Sequence, residues 1–355
     1  EKFAPTFLAG MPSIFKPASN TAYLTESMVK SIIKSNILPE GSLQLICGGV
    51  GDLLDHVTGQ DVVTFTGSAE TGLKLKGHPA VLRNNTRFNM EADSLNCSIL
   101  GPDVKPEDEE FGLFVKEVVR EMTVKTGQKC TAIRRTFVPE NLQEAVLDAL
   151  KERLTKITIG DPSVEGVRMG PLASLGQVDE VKRSVELLQK SANLVHGSFD
   201  GLSPLGNGTE GGAFFPPFLL HCENPLSSKG AHSIEPFGPV STVMPYKNIE
   251  EVNQLAKMGE GSLVGSLFTT SDEVAREVVL GTASHHGRIM ILNKDSAKES
   301  TGHGSPLPHL VHGGPGRAGG GEEMGGKRGI LHYLQRTAIQ GHPTTISQIT
   351  SQYQV

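Results

Sequence analysis

Cysteine is scarce in this sequence: 355 residues hold four, Cys47, Cys97, Cys130 and Cys222. They are widely spaced with no C-x-x-C pair, which excludes a disulfide scaffold and a zinc ribbon. A reduced, cytoplasmic compartment is the expectation. Long apolar runs are missing as well. The longest uncharged stretch near the start, Phe3 to Phe15, is broken by Pro5 and Pro12. It is too short for a membrane span and lacks signal-peptide architecture. Positive charge is not in excess, since Lys+Arg 33 against Asp+Glu 39 leaves a formal net charge of −6. Nucleic acids and anionic membranes select clustered basic residues, so neither is expected as a partner. A starting methionine is absent too; the chain opens on Glu1 and is expected to begin inside a longer protein.

What is present is glycine, 41 residues beside 21 prolines. Together they stay below the share that marks low complexity. They imply many tight turns and close backbone approaches, as α/β enzymes with nucleotide sites need. Apolar residues at 37% and charged residues at 20% supply a sizeable core. The length suits two domains and a fraction.

Apolar periodicity predicts a helix over residues 21–37, with Leu24, Met28, Val29, Ile32 and Ile33 on one face. Further helices are predicted over 109–125, 142–154 and 178–188. Short apolar runs at 13–15, 43–47 and 62–66, each followed by turn residues, predict strands. Strand, helix, strand, helix, strand is the signature of a parallel α/β layer. Gly127 stands where the helix over 109–125 should stop, so Gln128, Lys129 and Cys130 fall on a turn. The stretch Gly313–Gly326 holds eight glycines and reads as a loop. Residues 329–340 read as a short helix or an edge strand, and no internal repeat is evident.

Cys130, beside Lys129 on its turn, is the candidate nucleophile, because a neighbouring cation favours the thiolate that attacks carbonyls. Read alone, it is otherwise a small buried hydrophobe. Glu91, directly after Phe88-Asn89-Met90, is a candidate base with a raised pKa, or a solvated strand end. Gly67 and Ser68 after the 62–66 strand offer bare backbone to a phosphate, or simply a turn. Gly321-x-x-x-x-Gly326-Lys327 nearly matches a phosphate loop. Arg328 follows in place of Ser or Thr and no clear strand precedes, so nucleotide hydrolysis is excluded. The 12 histidines, among them His285, His286, His303, His309 and His312, show no H-E-x-x-H or carboxylate-supported spacing. No metal site is expected.

Seven landmarks in one order then carry a resemblance. They are Lys16-Pro17, Phe65-Thr66-Gly67-Ser68, Glu91, Gly127-Gln128-Lys129-Cys130, Gly160-Asp161-Pro162 with Met169-Gly170-Pro171-Leu172, the stretch 212–217, and Glu235-Pro236-Phe237-Gly238-Pro239. The sequence resembles the aldehyde dehydrogenase superfamily over nearly its whole length. Residues 90–97, 126–135 and 312–326 are most similar to the aldehyde dehydrogenase part of the PaaZ-type ring-opening proteins of phenylacetate degradation. BoxD-type semialdehyde dehydrogenases come next, and residues 296–307 favour the first.

The resemblance implies the aldehyde dehydrogenase fold. Residues 1–94 would form a Rossmann-like cofactor domain lacking its front portion, 95–316 an α/β catalytic domain, and 317–355 a return with a C-terminal oligomerisation strand. Cys130 would attack the aldehyde and Glu91 would activate water to hydrolyse the thioester. The oxyanion would be held by the Cys130 N–H and by an Asn expected upstream of Glu1. Lys16, Ser19, Thr66, Gly67, Ser68, Glu235 and Phe237 would hold the cofactor. Ser19 stands where NAD-preferring relatives carry a Glu that would repel a 2′-phosphate, which favours NADP, with NAD as the alternative. The usual Glu-Leu-Gly-Gly around the base is here Glu91-Ala92-Asp93-Ser94.

The implied substrate is a CoA-linked semialdehyde, 3-oxo-5,6-dehydrosuberyl-CoA semialdehyde in the first reading and 3,4-dehydroadipyl-CoA semialdehyde in the alternative. Because Glu91 is present, release by hydrolysis is expected over transfer to coenzyme A. A non-catalytic oligomerisation module is the other rival. Implied partners are further copies of the chain, as a dimer or higher homo-oligomer, and a hydratase domain in the full-length chain.

Overall fold

Runs of apolar residues bounded by turn formers become thirteen short strands in the computed structural model, which describes residues 2–352. Glu1 and residues 353–355, the ends of the first and last expected units, lie outside the described residues. The strands are β1 (Ser13–Phe15), β2 (Leu43–Leu45), β3 (Val62–Thr66), β4 (Arg87–Glu91), β5 (Cys97–Leu100), β6 (Arg135–Pro139), β7 (Asn193–His196), β8 (Phe218–His221), β9 (Val240–Tyr246), β10 (Ser262–Phe268), β11 (His286–Leu292), β12 (Val311–Gly313) and β13 (Glu322–Met324).

Seven of them make one sheet in the order β11-β10-β5-β6-β9-β8-β7. Neighbours are parallel throughout except for the antiparallel β7–β8 pair. Every residue of β5, β6, β9 and β10 is buried, as a parallel sheet covered on both faces requires. On one face Val181, Val185, Val252, Leu255 and Val278 pack from the helices Leu175–Leu188, Ile249–Lys257 and Asp272–Thr282. On the other, Phe114, Val118, Met122, Val146 and Leu150 pack from Glu109–Thr123 and Gln143–Thr155. Among the charged residues buried with this core, Arg135 lies in the sheet itself. The Arg135 guanidinium is buried and donates to the carbonyls of Leu95, Leu255 and Ala256, which satisfies it.

The first ninety residues form two separate parallel pairs, β1–β2 and β3–β4, which share no ladder with each other. The helix Ala22–Lys34 forms as its periodicity predicts, but its stripe is uncovered. Val29 is buried while Leu24, Met28 and Ile33 are more than half exposed. Their carboxyl ends nonetheless carry the expected site residues: Lys16 follows β1, Thr66 ends β3 with Gly67 and Ser68 after it, and Glu91 ends β4.

Two differences concern the C-terminal part. The expected division at 316/317 falls inside the antiparallel β12–β13 hairpin, which is held to the end of β4 by Ala92 N–H donating to Ala318 O and Gly321 N–H donating to Met90 O. Beyond Met324 no strand forms among the described residues. The helices Lys327–Leu331 and Pro343–Thr350 flank a stretch over 334–340 that joins no ladder. The residues of the expected oligomerisation strand are not in a strand here; Arg87 instead donates to Leu334 O at 2.6 Å. No helix of the described residues is long and apolar enough to cross a membrane.

Candidate active site

The helix Glu109–Thr123 ends two residues short of the predicted 125, and the chain then takes three consecutive residues into the left-handed region: Lys125 (φ 53°), Thr126 (φ 54°) and Gly127 (φ 67°). Two of these are not glycine, so the turn stores strain that its surroundings must hold. Thr126 Oγ1 donates to Gly170 O at 2.9 Å. Arg134, fully buried, donates to Gly127 O at 2.8 Å and to Gly238 O at 2.6 Å. Gln128 Nε2 reaches Phe237 O at 3.2 Å. Asn96 Nδ2 donates to Cys130 O at 2.7 Å and to Ala132 O at 3.0 Å. It therefore fixes the cysteine turn and does not serve a substrate oxygen. At Gly127 a Cβ would lie 2.2 Å from Gly238 O, so glycine is required there for space as well as for φ.

The clamped turn presents Cys130 to the end of β4. Cys130 Sγ is 3.8 Å from His312 Nε2, and His312 Nε2 is 3.2 Å from Glu91 Oε2. The imidazole and carboxylate side chains are only 4% and 3% exposed. Burial alone raises the Glu91 carboxyl. The hydrogen bond and charge of His312, the Cys130 thiol and the more distant Lys2 outweigh it, and the net direction is down. The expected raised acid is thus a carboxylate held ionised. Lys2 bridges Thr66 Oγ1, at 2.5 Å, and the buried Glu323.

The residues expected to hold a cofactor gather only in part. Thr66 lies beside Glu91 in the β3–β4 register, and Gly67 N–H donates to Glu91 O. Ser68 caps the helix Ala69–Lys76 by accepting from Thr71 N–H. Glu235 and Phe237 border the cysteine turn from the other side. The Glu235 carboxylate accepts from Ser94 N–H at 3.1 Å and stands 3.9 Å from Arg134, and Arg134 covers the Phe237 ring at 5.5 Å. Burial, with Asp93 adding repulsion, raises Glu235 to about 7 against the pull of Arg134. Lys16 and Ser19 stand apart, exposed beyond β1.

Sequence reasoning singled out Cys130 and Glu91 but left His312 among scattered histidines, because its partner lies far off in the chain on β4. The signal was its place directly before the glycine-rich stretch. Gly319 (φ 104°), whose Cβ would lie 2.3 Å from Met90 O, lets that stretch close onto β4. Lys129 was expected to favour the thiolate. Both oxygens of the buried Glu121 accept from Lys129 Nζ at 2.8 Å, and Arg134 is a second cation whose charge couples to the thiol. Asp93, at an altered position of the motif, accepts from Ala69 N–H at 3.0 Å.

The family model of aldehyde dehydrogenases matches residues 1–339. The chain is 44% identical over 315 residues to 3,4-dehydroadipyl-CoA semialdehyde dehydrogenase of Aromatoleum evansii, covering 89% of this chain and 61% of that protein. It is 52% identical over 186 residues to protein MaoC of Klebsiella aerogenes, covering 52% of this chain and 54% of that protein. Among solved structures, betaine aldehyde dehydrogenase from Staphylococcus aureus in complex with NAD+ superposes with a TM-score of 0.79 at 26% identity, covering 94% of this chain and 62% of that one. The chain thus spans less than two thirds of the length of each. Fold, motif order and family match agree, and the chain belongs to the aldehyde dehydrogenase family.

Proposed function

We propose that the protein oxidises a semialdehyde to its carboxylic acid with NADP, through a covalent intermediate on Cys130. The observation that carries this reading is the convergence of the Cys130 thiol, the Glu91 carboxylate and the His312 imidazole within 4.8 Å. A nucleophile beside a base, and a base oriented by a third group, is the arrangement that covalent catalysis needs.

In this reading the thiolate of Cys130 attacks the carbonyl carbon to give a thiohemiacetal, with His312 and Glu91 placed to take the thiol proton. The Cys130 N–H supports the developing oxyanion, a contribution worth several kcal/mol in such sites. Loss of the C–H hydrogen with its electron pair leaves a thioester on Cys130. Glu91, already ionised, then takes a proton from water, and the resulting hydroxide cleaves the thioester to release the acid and the thiol. Hydrolysis is favoured over transfer to coenzyme A because this carboxylate is present.

The residues suit a nicotinamide dinucleotide. The carboxyl ends of parallel strands carry Lys16, Thr66–Ser68 and Glu91, where open α/β sheets take nucleotides. A Cβ at Gly67 would lie 2.6 Å from the Phe65 ring, so backbone stays bare there. Thr66, Gly67 and Ser68 would line the nicotinamide and pyrophosphate, Glu235 and Phe237 the nicotinamide ribose, and Lys16 with Ser19 the 2′-phosphate. When bound, the oxidised nicotinamide supplies the two-electron acceptor.

The substrate class is a CoA-linked, open-chain product of an aromatic ring. Motif likeness favours 3-oxo-5,6-dehydrosuberyl-CoA semialdehyde, whereas the 44% identity to the Aromatoleum enzyme favours the shorter 3,4-dehydroadipyl-CoA semialdehyde. Further copies of the chain and a hydratase complete the proposed partners. Incubation with each semialdehyde and NADP should give one NADPH and one free acid per aldehyde, with no acyl-CoA exchange on adding coenzyme A. A non-catalytic module would give no NADPH with either.

A further inference from the structure

We propose that Cys130, Glu91 and His312 also form a three-ligand site for a zinc-class divalent cation, whose occupation masks the nucleophile. The donor atoms are a sulfur, an imidazole nitrogen and a carboxylate oxygen, all mutually within 4.8 Å. Zinc bonds of about 2.3 Å to sulfur and about 2.0 Å to nitrogen or oxygen, at tetrahedral angles, put sulfur and nitrogen about 3.5 Å apart and nitrogen and oxygen about 3.3 Å apart. The distances here are 3.8 Å and 3.2 Å. The third pair, sulfur and carboxylate oxygen, lies within 4.8 Å and closes to about 3.5 Å when the ion is seated.

Two further features fit. Glu91 Oε2 is buried and faces the His312 imidazole at 3.2 Å. A cation between them would take the lone pairs of both in place of a single shared proton. The donors also stand on fixed backbone: Glu91 ends β4, His312 is central in β12, and Cys130 follows the turn clamped by Arg134 and Asn96. Binding releases the thiol proton to solvent, and one thiolate with one carboxylate then balances the 2+ charge. Three protein ligands leave a fourth position for water. Thiolate and imidazole together select zinc over magnesium or calcium.

The inference needs only this geometry and not the aldehyde reading. Metal-free protein is titrated with Zn²⁺ alone against a chromophoric chelator, and Cys130 alkylation by iodoacetamide is followed in parallel. One ion per chain should bind and slow Cys130 alkylation, with affinity falling at least about tenfold in His312→Asn and in Glu91→Gln, and binding abolished in Cys130→Ser. Circular dichroism and melting of each variant separate lost ligation from lost fold. His312→Gln, with an amide of different reach, repeats the test should the Asn variant unfold. Unchanged zinc affinity in folded His312 or Glu91 variants, or one ion still bound in Cys130→Ser, overturns the proposal. Turnover is measured separately, so failure of zinc binding leaves the aldehyde reading standing, and the reverse also holds.

Discussion

His312 Nε2 lies 3.2 Å from Glu91 Oε2, joining the β12–β13 hairpin late in the chain to the end of β4. The contact is buried, and it helps hold the Glu91 carboxyl below its ordinary value against the upward push of burial. Removing the imidazole leaves burial less opposed. His312→Asn should therefore move the acidic limb of the deacylation pH profile to higher pH, because Glu91 would then protonate sooner. A limb that stays in place would separate His312 from the base. Stopped-flow measurement of thioester hydrolysis on Cys130 across pH checks it.

Glu235 gives a stability prediction of opposite sign. Its folded-state pKa, near 7, is above its ordinary 4.5. A carboxyl raised in this way contributes stability fully below about 4.5 and loses it as pH rises through about 7. Glu235→Gln stays neutral throughout. Relative to the parent it should gain stability between pH 5 and pH 8, by up to about 3 kcal/mol. Urea midpoints at the two pH values read the difference.

Ser19 is the residue proposed to set the preference for NADP. Ser19→Glu would place a carboxylate beside Lys16 where the 2′-phosphate is proposed to sit. kcat/KM for NADP should fall at least about tenfold while that for NAD rises or holds. Equal losses with both cofactors would place Ser19 away from the phosphate.

Gly127 tests the strained turn. With φ at 67° and a Cβ 2.2 Å from Gly238 O, Gly127→Ala should cost about 3 kcal/mol. It should also blunt Cys130 labelling in the folded protein. Denaturant midpoints and iodoacetamide rates report the two effects.

The sequence made the fold legible where the signal was local. Val62–Thr66 follows its apolar run without shift, and the helix from Glu109 ends two residues before the predicted 125, because the left-handed turn starts earlier. Gly127 was readable for the same reason, since a stop after an amphipathic helix is a local event. His312 was not, because its partner is distant in the chain and only the closure of the glycine-rich stretch onto Met90 brings them together. That Lys129 pairs with Glu121, eight residues earlier on the helix, was not legible either, because the pairing depends on how the turn folds back. The 334–340 stretch, mixed apolar and basic, has no local signal that decides its state.

The central claim is that Cys130 holds an acyl group which Glu91 releases by hydrolysis. Intact-mass spectrometry of Glu91→Gln after mixing with NADP and a CoA-linked semialdehyde tests it most directly. The account predicts one burst of NADPH per site, an acyl adduct accumulating on Cys130, and steady turnover slowed at least about a thousandfold. Undiminished steady turnover, with Cys130 unmodified, would contradict it.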